Sequence, residues 1–173
     1  VINSKLSASK QLKQSGPVKF GEQAAEWSEV ASLNGWQPNR GYTLQVWQVE
    51  DNQFLRIGEG FKQPLQNLGG GNYILKWKQR RSMGDSDSAN YQVKISNSNG
   101  RIVFIKNYKP SVSDQWEEVF TQFKVNKAEV GNHLWLSFCP NNNESCPIFI
   151  DDVRILQAGF NVDMNRDGKI DNS

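Results

Sequence analysis

The chain has 173 residues, the length of one ordinary domain. Twenty Lys and Arg against 18 Asp and Glu leave a formal charge of +2, which argues against a nucleic-acid partner, because phosphate binding needs a strongly basic face. Hydrophobics are 37% and aromatics 11%, with six Trp; no apolar run approaches the ~20 residues of a membrane span, and a single His with two Cys leaves little for a Ser/His/Asp triad or a zinc cage.

Residues 1–17 are polar, begin VINSKLSASK without an apolar signal core, and end in Gly16-Pro17. They read as the start of a mature or excised fragment, and as a linker or loosely attached first strand. Glu22–Leu33 (EQAAEWSEVASL) is the one helix-compatible stretch, or a loop lined by Trp27, Val30 and Leu33. After it, short apolar runs alternate with period two, the strand signature. Thr43–Val49 sets Leu44 and Val46 against Gln45 and Trp47. Phe54–Ile57 sets Leu55 and Ile57 against Phe54 and Arg56, and Tyr73–Gln79 sets Tyr73, Leu75 and Trp77 against Ile74, Lys76 and Lys78. Tyr91–Ile95 and Ile102–Ile105 flank Ser98-Asn99-Gly100, a hairpin turn. Val119–Val125, Leu134–Phe138 and Ile148–Ile155 complete the set. Eight or nine short strands predict an all-β antiparallel β-sandwich, or jelly roll, as one domain over 18–156. Residues 157–173 form a separate Asp-rich element.

Cys139 and Cys146 are separated by PNNNES, a turn-forming insert. Two flanking strands would bring them together as a disulfide, which favours an extracellular setting. In the tail, DMNRDGKID places Asp163, Asn165, Asp167 and Asp171 at positions 1, 3, 5 and 9 of a calcium loop, with Gly168 at the sharp turn and Lys169 offering its carbonyl. Alternate residues of such a loop aim oxygens at a hard cation. The position-12 carboxylate lies beyond Ser173, so an unliganded acidic linker stays open as the alternative.

Sugars present flat C–H patches edged by hydroxyls, which aromatic rings and planar polar groups recognise. Alternation gives Trp77 to the core and Trp116 to the core edge. Trp47 and Trp135 face away from the aliphatic side of their strands. Trp47 would share its face with Gln45, Arg56, Lys76 and Lys78, a platform for a ligand. Trp27 and Trp36 would either plug one end of the sandwich or stand exposed. The run Lys76–Arg81 is a solvated strand face or a contact for an acidic glycan, with Arg80 and Arg81 suited to carboxylate or sulfate.

WSEVASLNGW (27–36), GYTLQVW (41–47), NQFLRI (52–57), LQNL (65–68), GNYILKW (71–77), VFTQFKV (119–125), LWLSF (134–138) and IFIDDVRI (148–155) follow in an order that resembles the bacterial galactose-binding-like jelly rolls. These include carbohydrate-binding modules of polysaccharide-degrading enzymes and modules of cell-surface adhesins. The tail resembles dockerin and thrombospondin-like calcium loops. The resemblance implies a structural calcium between Glu22 and Asp151 or Asp152, although this chain reads Phe20-Gly21-Glu22 where the family has its acid directly after Phe. It further implies a noncatalytic module that anchors a secreted enzyme or cell-surface protein to a polysaccharide or glycan, with covalently linked neighbouring domains, no membrane insertion and a monomeric state. A calcium-dependent adhesin domain and a small sandwich-fold polysaccharide-degrading enzyme are the alternatives. The enzyme is disfavoured because Glu117 and Glu118 are adjacent and diverge across a sheet.

Overall fold

The computed structural model describes residues 11–14, 18–41, 43–66, 68–81, 89–111, 114–129, 133–141 and 145–158. The strands are β1 (Gln11–Gln14), β2 (Val18–Phe20), β3 (Gln23–Val30), β4 (Gln37–Pro38), β5 (Leu44–Val49), β6 (Asn52–Gly58), β7 (Phe61–Leu65), β8 (Gly71–Arg81), β9 (Tyr91–Asn97), β10 (Ile102–Tyr108), β11 (Glu117–Val125), β12 (Leu134–Pro140) and β13 (Cys146–Ala158). The larger sheet runs β1-β3-β5-β6-β13-β8-β11, with β2 also paired to β3. The smaller runs β10-β9-β12-β7-β4. All pairings are antiparallel, and the chain passes repeatedly from one sheet to the other. This is the all-β sandwich, a jelly roll, that the strand pattern predicts.

Period-two alternation sends Leu44, Val46, Leu55, Ile57, Leu75 and Trp77 of the larger sheet inward. They meet Val93, Ile95, Leu134, Leu136 and Phe138 of the smaller. Where Trp77 meets Tyr91, the polar groups inside this core are paired, as burial requires. The Trp77 indole N–H donates to the Tyr91 hydroxyl at 2.7 Å, and that hydroxyl donates to Gln79 Oε1 at 2.6 Å. Burial pushes the Tyr91 hydroxyl well above its usual pKa.

The larger sheet is apolar on its outer face too. Phe54 and Phe149 point outward there and meet Phe20 of β2, with Val49 and Ala25 buried beside them and Trp47 and Trp116 packed against the group. Phe20 lies 4.8 Å from both Phe54 and Phe149, centroid to centroid. The Arg80 guanidinium stacks 4.2 Å over Phe20 and reaches Asp114 at 3.4 Å. Gly21 makes this closure possible: at φ 60°, a Cβ there would fall 2.9 Å from Asp114 Oδ1.

Two expectations are corrected by this arrangement. The helix-compatible stretch is strand β3, and its Trp27 stands directly opposite Trp47 of β5. Of the two alternatives for Trp36, the structure has the plug: in the turn between β3 and β4 it is 1% exposed and packs edge-on against Phe61 and Phe138. Cys139 and Cys146 are free thiols. Their strands do not form a hairpin, because β12 and β13 belong to different sheets. Cys146 is buried in the sandwich core, whereas Cys139 lines a groove on the outer face of the smaller sheet.

Candidate functional site

The outer face of the smaller sheet is open. On it lies a groove of about 620 Å³, walled by the segment Asn39–Arg40, Glu59, and Pro140–Asn141. Three strands supply its floor. Antiparallel register sets Lys62 of β7, Ser137 of β12 and Lys94 of β9 in one row. The next row holds Pro64, Trp135 and Ser96. Neighbouring strands lie ~4.8 Å apart, so the two lysine Cα atoms are about 10 Å from each other across the small Ser137.

Local sequence explains this placement. In LWLSFCP, Leu134, Leu136 and Phe138 are buried in the core, which turns Trp135, Ser137 and Cys139 outward. In YQVKISN, Tyr91, Val93 and Ile95 go inward and Gln92, Lys94 and Ser96 outward. Gly60, at φ 103°, lets Asn39 approach closely: a Cβ there would collide with the Asn39 amide and the Phe138 carbonyl. The Asn39 amide then donates to Cys139 Sγ at 3.4 Å. Burial pushes the Cys139 thiol up, while Lys94, Asn39 and Arg40 pull it back down. Lys62 Nζ sits 4.9 Å from the centroid of the half-buried Trp135 ring.

The residues proposed from sequence divide by sheet. Trp135 lies in the groove. Gln45, Trp47, Arg56 and Trp27 do share the outer face of the larger sheet. There, however, Trp47 packs 5.1 Å from Phe149 and donates its N–H to Gln45 at 2.8 Å, closing rather than opening a platform. Arg56 donates to Ser145 Oγ at 3.0 Å. The basic run is largely matched by acids: Lys76 with Glu118, Lys78 with Asp152, and Arg80 with Asp114. Arg81 is buried opposite Ile148. An acidic ligand at this run would compete with carboxylates already in place. Lys62, Lys94, Gln92, Asn39 and Arg40 were not singled out from sequence. Alternation around Val93 and Ile95 could have found Gln92 and Lys94, whereas FKQPL has no alternation to read.

Of the carboxylates named for calcium, Glu22, Asp151 and Asp152 lie among the described residues. Glu22 is exposed in the turn between β2 and β3. Asp151 accepts from the Asn52 amide at 3.0 Å and from the Asp152 N–H at 2.7 Å. Asp152 faces Lys78 and Arg154, whose charges oppose a dication. No group of three or more His, Cys, Asp or Glu gathers for a metal among the described residues. Asp163, Asn165, Asp167, Lys169 and Asp171 lie outside the described residues.

No family model matches the chain, and no curated protein does. Solved structures do. The xylan-binding module CBM15 matches with a TM-score of 0.55 at 12% identity, over 75% of this chain and 95% of that one. The CBM22-1-CBM22-2 tandem domain of Paenibacillus barcinonensis Xyn10C gives 0.53 at 13%, over 83% and 50%. A family 16 carbohydrate-binding module gives 0.52 at 14%, over 72% and 92%. At these identities the likeness defines the fold, which is the β-sandwich of carbohydrate-binding modules.

Proposed function

We propose that the chain is a noncatalytic carbohydrate-binding module whose ligand lies in the groove of the smaller sheet, with Trp135 as its stacking ring. The observation that carries this reading is a half-buried Trp, ringed by hydrogen-bonding side chains, on a sheet face that the aromatic cluster around Phe20 does not cover. A pyranose stacked on the indole would bury a ring face, a contribution of ~1–3 kcal/mol. Gln92, Ser96, Ser137 and Asn39 are spaced to meet hydroxyls. Glycoside hydrolysis uses two facing carboxylates, and Glu59 is the single acid among the described groove residues. The fold shared with carbohydrate-binding modules supports the same reading. Such a module holds whatever is linked to it on a polysaccharide, which places its work outside the cell.

Electrophoresis through gels containing soluble polysaccharides tests this. Retardation by at least one glycan is expected, and Trp135→Ala should abolish it with the melting temperature unchanged within about 2 °C. Undiminished retardation of that variant would remove Trp135 from the site. Time-dependent release of reducing ends would overturn the noncatalytic reading. For the tail, the spacing Asp163-Asn165-Asp167 supports a calcium-stiffened linker. Calcium titration by calorimetry should give heat that an Asp163→Asn, Asp167→Asn double variant lacks.

A further inference from the structure

Three cations, Arg40, Lys62 and Lys94, line the groove against one carboxylate, Glu59. Among the described residues no ion pair joins any of the three to an acid. This sets them apart from Lys76 and Lys78 of the larger sheet, which face Glu118 and Asp152. The molecule as a whole is near neutral, so this unmatched charge is a property of the groove. Register gives it shape. Lys62 and Lys94 stand on either side of Ser137, which is 5% exposed and has the smallest side chain in its row. Two lysines whose Cα atoms are about 10 Å apart flank a small hydroxyl and leave a gap into which a carboxylate can reach. Both ammoniums can then close on it from opposite sides.

Lys62 adds a second argument. Its ammonium rests over the Trp135 ring that a sugar would stack on. A neutral sugar must push that charge off the ring and leave it with water alone. A sugar bearing a carboxylate offers the displaced ammonium an ion pair a few ångströms away. The guard on the ring thus penalises neutral ligands and not anionic ones, a specificity made by exclusion as well as by attraction.

We propose that the glycan bound in this groove carries carboxylates, and that Lys62 and Lys94, with Arg40 at the groove end, receive one of them above Ser137. This rests on the Trp135 groove being a glycan site. The ligand class is an acidic, uronic-acid-containing polysaccharide. It is the class first raised for the run Lys76–Arg81, now assigned to a different sheet.

Two polymer pairs separate this proposal from the reading beneath it. Polygalacturonate and glucuronoxylan are each compared with their carboxyl-reduced forms by calorimetry on the folded chain, beside neutral xylan, neutral β-glucan and polyglutamate. At least one carboxylated polymer should bind about tenfold more tightly than its reduced form, the worth of one charge-assisted contact. Lys94→Gln and Lys62→Gln should each weaken that binding by about five- to tenfold, and Lys62→Gln, which takes the charge off the Trp135 ring, should strengthen binding of the reduced form. Both lysines are surface residues, so these variants keep the fold. Equal binding of a polymer and its reduced form, binding to neutral polymers alone, or lysine variants without effect would overturn the acidic ligand while leaving a glycan module standing. Polyglutamate binding as tightly as the glycans, with Trp135→Ala indifferent, would reduce the groove to an ion exchanger and overturn it as well. Failure of every polysaccharide would sink the module reading and the proposal together.

Discussion

One hydroxyl joins the two sheets inside the core. Tyr91 of the smaller sheet receives the Trp77 N–H and donates to Gln79, both on β8. Tyr91→Phe keeps the ring near Phe138 and Tyr108 but leaves an indole donor and an amide oxygen buried without their partner. Stranding such groups costs ~1–3 kcal/mol. The variant should melt about 2–12 °C lower in a domain of this size. An unchanged melt would mean that Trp77 and Gln79 satisfy each other. Asp151 makes a second prediction at this scale. It is 4% exposed, and burial raises its pKa despite the bonds from Asn52 and the Asp152 N–H that lower it. The folded state therefore holds the Asp151 proton more tightly than the unfolded chain, where the group titrates near ~3.9. Its contribution to stability is greatest below that value and declines as pH rises from there through the higher folded-state pKa. Asp151→Asn cannot titrate and should melt with a flatter pH dependence upward from about pH 4. Parallel melting curves for the two proteins would remove Asp151 as the source of the slope.

At the scale of elements, the β5–β6 hairpin carries avoidable strain. Val49 pairs with Asn52, so the turn is the two residues Glu50-Asp51, and Glu50 sits at φ 54°. A side chain in that left-handed region costs ~1–2 kcal/mol, of which glycine's extra unfolded-state freedom cancels about half. The Glu50 side chain is exposed, and the bond at this turn, from the Gln48 amide, goes to its backbone carbonyl. Glu50→Gly should therefore raise the melting temperature by about 1–4 °C; a decrease would show that the turn is unstrained. The same strands show what period two can and cannot reveal. Alternation in TLQVWQV, YILKWKQ and LWLSF named the faces correctly, so Trp77 reads as core and Trp135 as outward. It does not say which outward face is open. In β6 and β13 both faces are apolar, Leu55 and Ile150 inward, Phe54 and Phe149 outward. That second cluster is invisible until β2 brings Phe20 over it, and Trp47 reads as exposed until then. β3 hides because QAAEWSEV lacks alternating aliphatics, and β7 hides because FKQPL contains a Pro. Pro64 lies beyond the reach of β4, which pairs only with Lys62 and Phe61, so on that side no strand asks for its missing N–H. With β7 unread, Lys62 and half of the groove could not be assembled.

The whole molecule has two outer faces built differently, with the ~10 Å sandwich core between them. Around Phe20 the larger sheet's face is sealed: Phe20, Phe54, Phe149, Trp47 and Trp116 interlock, and Arg80 lies across them paired to Asp114, while Phe120 of β11 stands exposed on the same face. The smaller sheet's face is cationic and open around Trp135. Aromatic residues on the first should serve stability and on the second recognition, and paired truncations separate these roles. Phe20 is 1% exposed, and Phe20→Ala empties the centre of the sealed face, at a cost of ~3–5 kcal/mol. That corresponds to a melting temperature lower by about 6–20 °C. Its groove lies on the far side of the core, so polysaccharide retardation, measured well below the new melt, should match the unaltered protein. Trp135→Ala should give the reverse, an unchanged melt with binding lost. If Phe20→Ala abolished binding while still folded, the ligand would have to touch the sealed face. If instead Trp135→Ala lowered the melt as far as Phe20→Ala does, Trp135 would be a packing residue, and the open face would lose its claim to be the binding site.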